Sequence, residues 1–154
     1  MRHRRVNKKE EMLKIIDECQ VCSVAMTADN MPYVIPMNFA MEGEFIYLHS
    51  DPEGKKAKIL ERNNNVCISW STGYEITYVH EEVACSWGMK YKSVIAYGEV
   101  EITDDAEEKV RILNLVMKKY AHGRDDFRYN APALRNVRIY RVRISKMEGR
   151  VLGY

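Results

Sequence analysis

Apolar residues recur along this chain with two different periods, and the switches between them mark out its elements. Met12, Leu13, Ile16 and Cys19 fall at helical spacing, which predicts an amphipathic helix over residues 8–20 with Asn7 as its cap. From residue 21 the period shortens to two. A strand over 21–28, a turn at Asp29-Asn30 and a second strand over 33–41 follow. Glu42-Gly43-Glu44 then closes a hairpin onto a third strand over 45–50. Residues 51–62 return to a helical pattern that Ser50 or Asp51 can cap, with Pro52 suited to the first turn and Ser50 and Glu53 at capping-box spacing. Asn63-Asn64-Asn65 ends that helix before a short strand over 66–71.

Residues 73–91 show no steady period. Positions 76–79 read as a strand, and Tyr74, Tyr78 and Trp87 make the connection rich in aromatics. Residues 92–102 alternate, with Val94, Ala96, Val100 and Ile102 on one face. Asp104 and Glu107 open a helix whose Ala106, Val110, Leu113, Met117 and Tyr120 share a side. A polar loop over 123–132 leads to a closing strand over 137–147, whose apolar phase slips between Ile139 and Tyr140 and so indicates a bulge. Six or seven strands with about three helices between them, and no βαβ rhythm, predict an α+β domain built on an antiparallel sheet or barrel.

Composition narrows the class. A chain of 154 residues suits one domain with a sound core, and 46% hydrophobic residues with regular Gly, Pro, Asn and Asp punctuation describe a globular protein. No apolar run approaches the roughly 18 residues that a membrane span needs. The basic opening Arg2-His3-Arg4-Arg5 lacks the apolar stretch of a signal peptide, so the cytoplasm is the expected location. A net charge of +2 is too small to imply a nucleic-acid partner. Residues 1–7 are expected to form a mobile, solvated basic arm, because Glu10, Glu11, Asp17 and Glu18 follow almost at once.

The four cysteines predict no metal. Cys19 and Cys22 form one CxxC, while a structural zinc site needs a second close pair and Cys67 and Cys85 lie far apart. They read as mostly buried, small apolar side chains in a reducing compartment, with the Cys19 and Cys22 thiols pointing apart.

Three features suggest chemistry. Pro36 interrupts a strand where a central position would donate a hydrogen bond, so the strand belongs at an edge or a bulge. Asn38 shares the face of Val34 and Pro36, and its amide both donates and accepts. His49 ends the following strand just before a helix start that carries Lys55, Lys56 and Lys58, the wrong charge for the positive end of a helix dipole. A phosphate would reverse that penalty. The other reading is a solvated basic face. No Ser-His-Asp order, GxGxxG or P-loop is present.

Pro36-Met37-Asn38, Ile46-Tyr47-Leu48-His49-Ser50, Gly54-Lys55-Lys56, Ala84-Cys85 and the block from Tyr91 to Gly98 occur in an order and spacing that resembles Nim-type nitroimidazole-resistance proteins. These belong to the pyridoxamine 5'-phosphate oxidase-like, FMN-binding split-barrel superfamily. Lys92 stands where that family more usually has arginine. The resemblance implies a six- to seven-stranded antiparallel split β-barrel that forms a homodimer, with FMN in clefts at the subunit interface. It implies that Val34, Ile35, Pro36, Met37 and Asn38 line the flavin ring and that His49 and Ser50 lie beside it. Gly54, Lys55 and Lys56 would hold the phosphate, and Tyr91 and Ser93 would approach from the partner. His49 would be the catalytic proton donor or substrate contact, in an oxidoreductase that reduces a small electron-poor substrate. Residues 33–38 contain no arginine or lysine, so oxidation of pyridoxamine phosphate is not expected. A flavin-binding or redox-sensing protein without turnover is the alternative, and a haem-binding split barrel a further one.

Overall fold

Two-residue alternation runs further along the chain than the sequence pattern indicates, and it builds eight antiparallel strands into one sheet that does not close. The structure, a computed structural model, describes residues 2–154; Met1, part of the expected arm, lies outside the described residues. The elements are β1 (His3–Val6), α1 (Lys9–Asp17), β2 (Cys22–Ala28), β3 (Met31–Met37), β4 (Ala40–Glu42), β5 (Phe45–Ser50) and α2 (Lys55–Arg62). They continue with β6 (Asn65–Thr77), a 3-10 turn (Ala84–Ser86), β7 (Gly88–Thr103), α3 (Ala106–Tyr120), α4 (Ala131–Arg135) and β8 (Arg138–Leu152). The sheet order is β3-β2-β6-β7-β8-β5-β4, with β1 added to β8. The fold is the expected α+β class, with eight strands and four helices among the described residues.

The main core lies inside the curve of this sheet. Trp70 and Phe39 meet there edge to face, with centroids 5.5 Å apart, among Val24, Ile46, Ile68 and Val94. A second cluster of Ala40, Tyr47, Ile112, Val116 and Ile139 sits on the other face, under α3. That second layer explains the phase slip on β8. Ile139 and Tyr140 are both fully buried, because each face of the strand is covered by a different cluster. The bulge lies instead where Tyr97 opposes Lys146 and Gly98 opposes Ile144, leaving Ser145 unpaired with its hydroxyl donating to the Tyr97 carbonyl (3.1 Å).

Other expectations are corrected. Residues 3–6 are not a free arm: Val6 is buried and pairs with Gly149, where a Cβ would come within 2.7 Å of it. Helix α1 begins after Lys8, and no side chain caps it. Asn38 and Phe39 break the expected second strand into β3 and β4. The cap of α3 is Asp105, which accepts from the Glu108 amide (2.9 Å). Its buried stripe is Lys109, Ile112 and Val116, one step out of phase with the expected side. Lys109 occupies an inward position because its ammonium donates to the Leu134 carbonyl (3.0 Å), which ties α4 to α3. Strands β6 and β7 extend as a two-stranded ribbon into residues 73–77 and 88–91, with a register shift between Thr72 and Glu75. Gly73 supplies the positive φ (+68°) this shift requires.

Candidate functional site

The site begins at the sheet edge. β3 pairs only with β2, so Pro36, opposite Ser23, sits where no second ladder needs its missing N–H. Along β3, Val34, Pro36 and then Asn38 are exposed, while Ile35 and Met37 pack toward the core. β5 brings His49 up beside this edge. The chain then turns: Asp51 Oδ1 accepts from the Glu53 amide (2.8 Å), a local turn rather than a helix cap. Pro52 therefore precedes the helix, Ser50 and Glu53 form no capping box, and Gly54 is the N-cap residue without a side-chain hydrogen bond. The first turn of α2 carries Lys55 and Lys56 and no acidic residue.

These elements enclose an open cavity of about 350 Å³ lined by Val21, Ile35, Pro36, Met37, Asn38, His49 and Lys56. Six of the expected site residues meet there. The Nδ1 atom of His49 is buried and has no hydrogen-bond partner. Burial first, and the Lys56 ammonium second, hold the His49 pKa below its ordinary value, so the imidazole is neutral at neutral pH. A buried ring nitrogen without a partner is a costly feature unless a ligand completes it.

The remaining expected residues lie elsewhere. Gly54 and Lys55 line an adjacent cleft of about 810 Å³ with Lys58, Arg62 and Arg138, and Lys55 Nζ stands 4.6 Å from the Tyr33 ring centroid. Arg62 is engaged by Asp29 and Arg138 by Glu61, so among the described residues the lysines carry the positive charge there that makes no ion pair. Ser50 donates to the Asp51 carbonyl (2.9 Å) and meets Tyr140 Oη at 3.3 Å. Val34 is exposed and outside the cavity. Tyr91 and Ser93 stand on β7, opposite Leu152 and Arg150, and do not reach it. Val21 does line the cavity, yet its sequence position says only that a strand is starting.

The cysteines are separated in chemistry. Cys19 Sγ donates to the Ile15 carbonyl (3.2 Å) and Cys22 Sγ to the Met37 carbonyl (3.4 Å), so the two thiols are committed to different partners. Burial pushes the Cys22 thiol up to about 12. Cys67 is half-buried, whereas Cys85 is exposed, against expectation. Among the described residues, no cluster of His, Cys, Asp or Glu is arranged to hold a metal. No helix among them is long and apolar enough to cross a membrane.

An edge strand without side-chain charge, a neutral imidazole and a lysine-bearing helix start together fit a flat, partly apolar ligand with an anionic end. The chain belongs to the pyridoxamine 5'-phosphate oxidase family, whose model matches residues 8–151. A crystal structure of a candidate 5-nitroimidazole antibiotic resistance protein from Bacteroides thetaiotaomicron is 39% identical. It superimposes with a TM-score of 0.85 over 97% of this chain and 87% of its own. General stress protein 26 of Bacillus subtilis is 29% identical over 118 residues, covering 77% of this chain and 76% of that protein. The FAD and haem binding protein of Mycobacterium smegmatis shares the fold at 14% identity (TM-score 0.83, 97% of this chain and 74% of that one).

Proposed function

We propose that this chain binds FMN and passes electrons from it to a small electron-poor substrate, as a nitroreductase does. The observation that carries this reading is the cavity in which His49, whose buried Nδ1 has no partner among the described residues, meets the Pro36 edge strand and Lys56. Bound FMN would supply the redox chemistry, and the protein would bind and orient it. Ile35, Pro36 and Met37 offer apolar surface and edge-strand backbone to the ring, and the Asn38 amide can both donate and accept at its rim. Lys56, with Lys55 on its flexible stem and the free N–H groups after Gly54, would hold the phosphate. His49, neutral at neutral pH, would hold a proton at the ring or the substrate.

A second copy of the chain completes this proposal. On β7, Met89, Tyr91 and Ser93 share one face, Ile76 lies opposite Met89, and Tyr78 stacks on Trp87 (centroids 4.5 Å). The other face carries the Lys90–Glu75 ion pair (3.0 Å). The ribbon is thus amphipathic with period two, yet its apolar side faces water: Ile76 is 62% exposed and Trp87 45%. Tyr74, Val79 and Val83, from the same segment of the chain, are exposed as well. A homodimer that covers this face would also deliver the partner's Tyr91 and the partner's Ser93 to the cofactor.

Anaerobic mixing of the reduced, FMN-loaded protein with a nitroimidazole tests the activity. Flavin reoxidation much faster than that of free FMN is expected. Reoxidation no faster than free FMN leaves a binding or sensing protein. A histidine in the cavity wall also suits an axial haem ligand, so a Soret band after haem addition, with no flavin uptake, would favour that second reading.

A further inference from the structure

We propose that the cleft between α1 and α3 binds a small amphipathic monocarboxylate, and that its occupation tightens flavin binding in the neighbouring cavity. The cleft measures about 700 Å³, within the range of small-molecule sites. Ile16, Phe39 and Ala40 form its floor and Leu13, Met41 and Leu115 its sides. Lys14 and Lys118 stand exposed at the mouth, and Lys119 reaches inside.

Lys119 is the feature that selects the ligand. Its side chain is only 15% exposed, and its ammonium lies 4.6 Å from the Phe39 ring centroid and 5.8 Å from that of Tyr120. Aromatic faces attract a cation but supply no lone pair for its three donors. The nearest carboxylate oxygen, Asp17 Oδ1, is 3.9 Å away on a side chain that is 91% exposed, beyond hydrogen-bond reach. A largely buried lysine whose ammonium stands over an apolar floor with no carboxylate in hydrogen-bond reach is complemented by one carboxylate with an apolar tail. An uncharged apolar ligand would leave it unmet.

The two sites share a wall. Tyr120 Oη accepts from the Phe39 amide (3.0 Å) and donates to the Gln20 carbonyl (2.7 Å). Gln20 and Phe39 line this cleft, while their chain neighbours Val21 and Asn38 line the flavin cavity. A ligand that orders the Phe39–Tyr120–Gln20 link therefore orders both strands that frame the other cavity. This coupling rests on the flavin reading; the carboxylate site does not.

The test is an amide chemical-shift titration of the full chain with octanoate and, separately, with 1-octanol, without and with FMN. Octanoate should move the amides of Ile16, Phe39 and Leu115, and octanol should bind about tenfold more weakly. Lys119→Met should weaken octanoate by about the same factor, Lys119→Arg should retain it, and Leu115→Trp should block it by filling the cleft. Saturating octanoate should lower the FMN Kd by about threefold, with the reciprocal effect on octanoate. The site is overturned if octanoate and octanol bind alike, if the shifts map to ribbon residues 73–91, or if Lys119→Met changes nothing. An unchanged FMN affinity overturns the coupling. If FMN does not bind at all, the flavin reading fails, and the flavin-free titration still decides the cleft.

Discussion

Tyr120→Phe isolates one hydroxyl that ties together the two strand ends beside the candidate site. Its oxygen serves the Phe39 amide at 3.0 Å and the Gln20 carbonyl at 2.7 Å. Gln20 is exposed, so water can replace the donated bond at little cost. Phe39 is only 1% exposed, and its amide loses its partner, which costs roughly 1–3 kcal/mol for an unsatisfied buried donor. With the second bond replaced by water, the expected loss is about 1–3 kcal/mol. With a urea m-value of about 2 kcal/mol/M, the unfolding midpoint should fall by about 1 M. Trp70, buried against Phe39, reports the transition by fluorescence. A midpoint shift under about 0.25 M, worth roughly 0.5 kcal/mol, would show that the hydroxyl is not a structural tie and would refute the reasoning.

Gly98→Ala places a Cβ 2.3 Å from the Arg143 carbonyl oxygen at the β7–β8 bulge, and should destabilise by about 1–3 kcal/mol in the same urea assay. Lys55→Ala with Lys56→Ala should leave the fold intact and weaken FMN binding by about 10- to 100-fold per lost phosphate contact, read by flavin fluorescence titration. The folded-state pKa of His49 lies below its unfolded value, so its contribution is fully present above the ordinary histidine range and is lost as pH falls toward the depressed value. His49→Gln should therefore lose less stability than the wild type between pH 7 and pH 5, and an equal loss in both would contradict the assignment. Ile76→Lys with Met89→Lys should convert the protein to a monomer in sedimentation velocity, because it places charge in the proposed subunit contact.

What the sequence made legible follows from which residues signal without their neighbours. Pro36 by itself narrows its strand to an edge or a bulge, since no central ladder tolerates it, and the sheet order makes it an edge. His49 and the lysines sit at an element boundary that period alone locates. The beginning of α2 was less legible: Asp51 and Pro52 look like a cap and a first turn, but the Asp51 side chain closes a separate turn and leaves Gly54 to start the helix. The inward side of α3 is masked by Lys109, a residue type that reads as surface until its carbonyl partner on α4 is known. Ile139 and Tyr140 imitate a bulge because β8 is covered on both faces, which only the tertiary layers reveal. The ribbon had no readable period because its aromatic side is exposed in the single chain and Gly73 shifts its register. Nothing in the sequence distinguishes Lys55 from Lys56, yet the helix turns them into different clefts.

The edge strand, His49 and the lysines of α2 form the proposed flavin site. Titration of flavin fluorescence with the purified, flavin-free protein tests it most directly. Saturable FMN binding at one flavin per chain is expected, with the visible flavin spectrum perturbed on uptake. FMN that stays free in solution at saturating protein, with its fluorescence and spectrum unchanged, would contradict it.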